Sequence, residues 1–169
     1  MLLLALGMHA NPAYCDQPGA IEVSITTSLG DDQSFRAGDE LSLLLSLDRD
    51  AFVILLYQDA AGELVQIFPG ADTDGGRVTA GDFQPFPPRN LGLRLVVAAP
   101  FGQERLWAFA SETPFPAELL KPLPREKTAQ RARLDRLRQW IDEHRATSAV
   151  DSLTLRTSHQ APDPDPGLQ

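Results

Sequence analysis

Asp72-Thr73-Asp74-Gly75-Gly76 sets two carboxylates at alternate positions ahead of a glycine pair, the local chemistry of a loop that wraps a hard cation in oxygen ligands. The spacing beyond it breaks the pattern. A calcium loop begun at Asp72 needs a bidentate carboxylate at its twelfth position, where this chain has Phe83. A glycine-rich turn is expected instead, with Asp72 and Asp74 retained as candidate ligand contacts. Asp48 with Asp50, and Asp31 with Asp32, suggest a second chemistry, the acid and base of glycoside hydrolysis. That reaction needs two carboxyls across a cleft, one with its pKa raised by burial, whereas neighbouring acids in turns are commonplace.

His9, His144 and His159 are too scattered to share a metal, and His144 is expected to offset the dipole at a helix C-terminus. The chain has no HExxH, paired-cysteine spacing, GxSxG or phosphate loop. No catalytic residue, metal or cofactor is therefore assigned, and a non-enzymatic role is expected. Binding chemistry is better represented. Trp107, Phe109 and Tyr57 read as core, while Phe83 and Phe86, beside Pro87-Pro88, are the rings expected at the surface. Lys121 to Arg145 carries eight basic and four acidic residues in a chain of net charge -8. Arg131, Arg133 and Arg138 are thus candidates for an anionic or acidic partner. The acidic total argues against nucleic acid, which needs a basic surface to displace counterions.

These residues must be held by strands. Ile21, Val23, Ile25 and Thr27 alternate with polar residues, as do Leu41, Leu43, Leu45 and Leu47. Phe52 to Tyr57 is apolar on both faces, and Leu64 to Phe68 ends at Pro69, which has no N–H for a ladder. Gly38 to Pro69 therefore reads as a three-stranded antiparallel meander turning at Asp48-Arg49-Asp50 and Asp59-Ala60-Ala61-Gly62. Pro69 to Asn90 reads as a long crossing loop with a short strand near Val78. Leu91 to Val97 and Glu104 to Ser111 follow as strands joined by a turn at Pro100 to Gln103, and Val150 to Thr157 as a final edge strand. Edges of such sheets can also bind by strand addition. Without βαβ alternation, the expected fold is mainly β: an antiparallel sandwich of about seven strands, Ig-like or jelly-roll-like.

A proline-stiffened connector, Pro114 to Pro124, leads to one helix over 125–145. Its stripe of Leu134, Leu137 and Ile141 is narrow, with polar Gln130 one turn earlier. Arg131–Asp135 and Arg138–Asp142 are spaced to pair at i, i+4. The domain is expected over 20–158, between a leader, 1–15, and a disordered tail, 159–169. Met1 to Met8 (MLLLALGM) resembles the apolar part of an export signal, with Ala10 and Ala13 for cleavage but no preceding basic residue. The expected location is periplasmic or secreted, or cytoplasmic if the leader is no signal. Cys15, the sole cysteine, excludes an internal disulfide, and Pro12 and Tyr14 fit a lipoprotein signal poorly. No apolar stretch reaches the roughly 18 residues of a membrane-crossing helix.

Phe35-Arg36-Ala37-Gly38-Asp39, the leucines that follow, Phe52 to Tyr57, Ile67-Phe68-Pro69, Pro100-Phe101-Gly102 and Glu104 to Ala108 together resemble the DUF4384 family of bacterial domains of unknown function. The resemblance runs from about Ser34 to Phe115. It implies a β-sandwich module of exported or envelope-associated proteins, in an accessory or recognition role, and transfers no catalytic residue. Many members have Asn after the strand-ending Phe-Pro; this chain has Gly70. The expected function is recognition of a protein or cell-wall partner. The alternative is carbohydrate binding or chemistry through the 70–90 loop.

Overall fold

The computed structural model describes residues 19–31, 33–70 and 75–159. The expected leader, Cys15, Asp72, Asp74 and the tail beyond His159 lie outside them. The strands are β1 (Val23–Thr27), β2 (Ser34–Arg36), β3 (Glu40–Leu41), β4 (Leu43–Leu47), β5 (Ala51–Gln58), β6 (Leu64–Phe68), β7 (Arg77–Val78), β8 (Gly81–Phe86), β9 (Leu95–Val96), β10 (Gln103–Ser111) and β11 (Ser148–Ser158). Two helices, α1 (Ala117–Leu120) and α2 (Lys127–Glu143), separate β10 from β11.

The expected mainly-β sandwich is present, with eleven strands among the described residues rather than about seven. One sheet has the order β1-β4-β8 and the larger one β2-β11-β10-β5-β6, with β7 extending β5's side; β3 and β9 form a separate ribbon. Between the sheets lie Leu43, Leu45 and Leu47 of β4, facing Val53 and Leu55 of β5 and Leu106 of β10. A second core lies on the other side of the large sheet. There Ile54, Leu56, Trp107 and Phe109 meet Leu134 and Leu137 of α2. This third layer explains why β5 is apolar on both faces: its alternation serves two cores. Each such aliphatic side chain contributes about 1.5–3 kcal/mol by leaving water.

Four sequence expectations change. The expected Pro69–Asn90 crossing loop contains a six-residue strand, β8, paired with β4. The Gly38–Pro69 run is not a meander, because β4 and β5 belong to different sheets and the Asp48–Asp50 turn carries the chain between them; only β5 and β6 pair as a hairpin. Leu91–Val97 is not one strand. Gly92, at φ 64, closes a 3₁₀ turn over Arg89–Leu91, Leu93 is left exposed, and β9 pairs with β3 instead of β10. Finally, β11 is no edge, since β10 flanks it on one side and parallel β2 on the other.

The narrow stripe of α2 is completed by a polar side chain. Gln130, 3% exposed, accepts the Leu64 N–H of edge strand β6 at 3.0 Å and donates to the Pro124 carbonyl at 3.0 Å. It thus ties helix, strand and connector together while leaving neither end of its amide unpaired. At the C-terminus, Ser148 Oγ lies 2.9 Å from the His144 carbonyl and 3.2 Å from that of Ile141. These contacts meet acceptors that a helix end leaves open. No described helix is long and apolar enough to cross a membrane.

Candidate functional site

Side-chain alternation in β10 sends Leu106, Ala108 and Ala110 into the sandwich core. The same parity sends Glu104 inward. It lies near the end of the strand, is 2% exposed, and is flanked by β5 and β11. Register places Tyr57 opposite Leu106 and Leu155 opposite Glu104, so Tyr57 and Thr157 are Glu104's diagonal neighbours on the same face. The Thr157 hydroxyl donates to Glu104 Oε1 at 2.7 Å. Thr157 Oγ1 also accepts the Gly102 N–H at 3.0 Å, which fixes the rotamer. The Tyr57 hydroxyl interacts with the same carboxylate. Burial first, then this hydrogen bond and charge, then the charge of Asp59, push the Tyr57 phenol well above its ordinary value.

Beyond these side chains a cleft of about 280 Å³ opens between the β3–β9 ribbon and the β5, β6 and β10 strands. Leu41 and Leu95 line the ribbon side, Val65 and Ile67 the sheet side, with Tyr57 and Glu104 between. Val65 and Val96, each 49% exposed, form apolar lips. Arg94 also lines the cleft, but its guanidinium is held by Glu40 at 2.7 Å. That hydrogen bond, then the charge, lower the Glu40 carboxyl and raise Arg94. Among the described residues no lysine, arginine or histidine forms an ion pair with Glu104. A buried carboxylate supported by hydroxyls alone is an expensive arrangement. It offers negative charge and unused lone pairs at the floor of an apolar pocket.

A larger groove of about 640 Å³ runs beside edge strand β6, between it and the Leu120–Arg125 connector. Its buried polar side chain, Gln130, is already bonded at both ends, so size alone does not make it the better candidate. No group of three or more potential metal ligands occurs among the described residues.

The side chains singled out from sequence do not converge. Phe83 is 59% exposed, as expected. The β4–β8 register shift sets Asp82 and Phe83 against Ser46, whose hydroxyl accepts the Phe83 N–H at 2.8 Å. Phe83 is the one non-glycine residue of positive φ (47°) among the described residues, and the bulge re-aims its ring outward. Phe86 corrects the expectation of a second exposed ring. It pairs opposite Leu43, is 3% exposed and packs edge-on against Phe68 at 5.0 Å.

Arg133 is likewise withdrawn from any partner. It is 7% exposed and donates from Nη1 to the Leu119 and Lys121 carbonyls at 3.1 and 2.9 Å, closing the C-terminal end of α1. Burial, then repulsion from Arg136, lower its pKa against the opposing pull of Glu118. Arg138 lies 5.4 Å from the Trp107 ring and pairs with Asp135 at 3.8 Å, not with Asp142. Arg131 is exposed. Asp48 and Asp50 separate onto different partners: Asp48 bonds Arg49 and the Glu22 N–H, and Asp50 the Ala80 N–H. Glu104, the residue at the cleft floor, was missed. Its signal was its parity with Leu106, Ala108 and Ala110.

Residues 34–114 match the family model described as "Domain of unknown function (DUF4384)", and this segment, which includes Tyr57 and Glu104, belongs to that family. No curated protein and no solved structure matches the chain.

Proposed function

We propose that this protein is a non-catalytic recognition module of the bacterial cell envelope, binding a protein or cell-wall partner through the cleft above Glu104. The observation that carries the reading is the cleft's composition: apolar lips at Val65 and Val96 over a buried carboxylate. Sites for organic groups combine apolar walls with few convergent polar atoms. A lone carboxylate with two hydroxyls can bind and orient; general acid–base hydrolysis wants a second titrating group across the cleft. The envelope assignment draws on the apolar Met1–Met8 segment and on the family resemblance.

The test is affinity capture from an envelope extract of the native organism, with the full chain as bait and a Val65→Glu/Val96→Glu double variant as control. A partner retained by the native bait and lost from the control supports the reading. Equal recovery on both baits overturns the cleft's role, and turnover of a glycan, peptide or ester panel by purified protein overturns the non-catalytic assignment. A second reading, carbohydrate recognition through the 70–90 segment, draws on Phe83, whose ring the β8 bulge turns outward. Rings so exposed can stack on sugars. Glycan-array binding abolished by Phe83→Ala would favour it; no glycan signal from the native chain would reject it.

A further inference from the structure

We infer that the Glu104 cleft receives a primary ammonium group on an unbranched apolar stem, the chemistry of a lysine side chain of a partner protein, with Glu104 as counter-ion. This deepens the recognition reading of the same cleft and rests on it. The floor is anionic and buried, at 2% exposure, and lacks a cation among the described residues. Attraction to an incoming charge is strongest where solvent is scarce. The nearest cationic side chain lining the cleft, Arg94, is engaged by Glu40, so it does not fill the role. Asp59 adds negative charge nearby, and the chain's net charge of -8 steers a basic partner towards it.

Geometry selects ammonium over guanidinium. An arginine binds a carboxylate best as a fork using both oxygens. Here Thr157 donates to Oε1 at 2.7 Å and the Tyr57 hydroxyl bonds to the same carboxylate, so a fork that needs both oxygens meets a carboxylate already shared with two hydroxyls. A compact ammonium needs one carboxylate oxygen and can give its other protons to hydroxyls such as that of Tyr57. Leu41, Val65, Ile67 and Leu95 supply the walls for a methylene stem, which lysine characteristically buries while its charge finds a polar partner. The volume of about 280 Å³ suits one side chain rather than a folded surface.

The test uses the full chain and Nα-acetyl-lysine methylamide, followed by amide chemical shifts in NMR. Saturable shifts are expected at Val65, Ile67, Leu95 and Val96. The norleucine and Nε-acetyl-lysine counterparts should bind at least about tenfold more weakly, as should the lysine compound to Glu104→Gln, since loss of a buried charge partner acts mainly on affinity. Glu104→Gln keeps an acceptor for Thr157, and its amide spectrum reports folding. Val96→Trp, which blocks the half-exposed lip, serves as the independent variant and should also lose binding. Equal binding of norleucine, stronger binding of the arginine analogue, absence of shifts at these amides, or affinity within about twofold in either variant overturns the inference. A captured partner that persists on Glu104→Gln but is lost from the Val65/Val96 control overturns the ammonium assignment and leaves the recognition reading standing.

Discussion

Replacing Gln130 by Met removes one polar side chain from α2 while keeping its length and nearly its helix propensity. Two bonds are lost: the Leu64 N–H to Oε1 and Nε2 to the Pro124 carbonyl, both 3.0 Å. The first is buried beneath the helix, so an unsatisfied Leu64 N–H costs about 1–3 kcal/mol; the second is half-buried and contributes about 1 kcal/mol. Recovered burial of the Met side chain offsets little, because the original aliphatic stem already filled the site. The expected loss is about 2–4 kcal/mol. In urea unfolding with m near 2 kcal/mol/M this lowers the midpoint by about 1–2 M at unchanged slope. The neighbouring Arg131→Ala, on the exposed face, should stay within about 0.5 kcal/mol. A Gln130→Met midpoint no lower than that of Arg131→Ala would refute the view that this amide locks the helix to β6.

Arg133→Glu should destabilise by more than about 3 kcal/mol, because it sets a buried carboxylate against the Leu119 and Lys121 carbonyls, whereas Arg131→Glu should leave the urea midpoint nearly unchanged; equal midpoints would sink the placement of Arg133. Asp48 offers a pH test. Burial alone would raise its pKa, but the hydrogen bond and charge of Arg49 and the Glu22 N–H together bring it below 3.8. A depressed folded pKa contributes stability that is full above that unfolded value and disappears as pH falls through the folded one. Asp48→Asn should therefore cost less than about 1 kcal/mol at pH 7, this being a partly exposed pair, and progressively less as pH falls below 3.8; a deficit constant with pH would contradict it. Glu104→Met should raise stability by up to about 2 kcal/mol, since Thr157 keeps Gly102 as a partner; a fall of more than about 1 kcal/mol would make Glu104 a structural residue.

Strand existence was largely legible, because Ile25, Leu43, Leu45 and Leu47 follow a period of two that only a one-sided sheet requires. Pairing was not. Alternation is indifferent to which strand lies alongside, so the short Asp48–Asp50 turn looked like a hairpin when it bridges two sheets. Residues buried on both faces, such as Ile54 and Val53, carry no facing label, and only the helix opposite them explains their composition. Gln130 and Arg133 looked like surface residues because their type is usually solvated; both are buried because specific carbonyl and amide groups of β6, α1 and the connector meet them. The site failed for a related reason. Asp72, Asp74 and the arginines were chosen by local density of charge, whereas Glu104 acquires its environment from Tyr57 and Thr157, which lie 47 residues before and 53 after it.

The position of Glu104 also explains how the fold tolerates it. The middle of β10 is covered on one face by the β1-β4-β8 sheet and on the other by α2, and there every inward or outward side chain from Leu106 to Ala110 is apolar. Glu104 lies past that double cover, where Leu41, Leu95 and Val97 of the ribbon region replace the smaller sheet. Two short strands joined by two register pairs hold the ribbon, so the roof of the cleft has fewer backbone bonds than its floor. Local opening is cheapest where few buried contacts must break. The carboxylate thus sits on the six-stranded side together with the Val65 lip, and the Val96 lip on the two-stranded ribbon, an arrangement that fixes the charge a ligand must meet where strand pairing is most extensive. A charge carried by the ribbon instead would have only two register pairs to hold it against its hydroxyl partners.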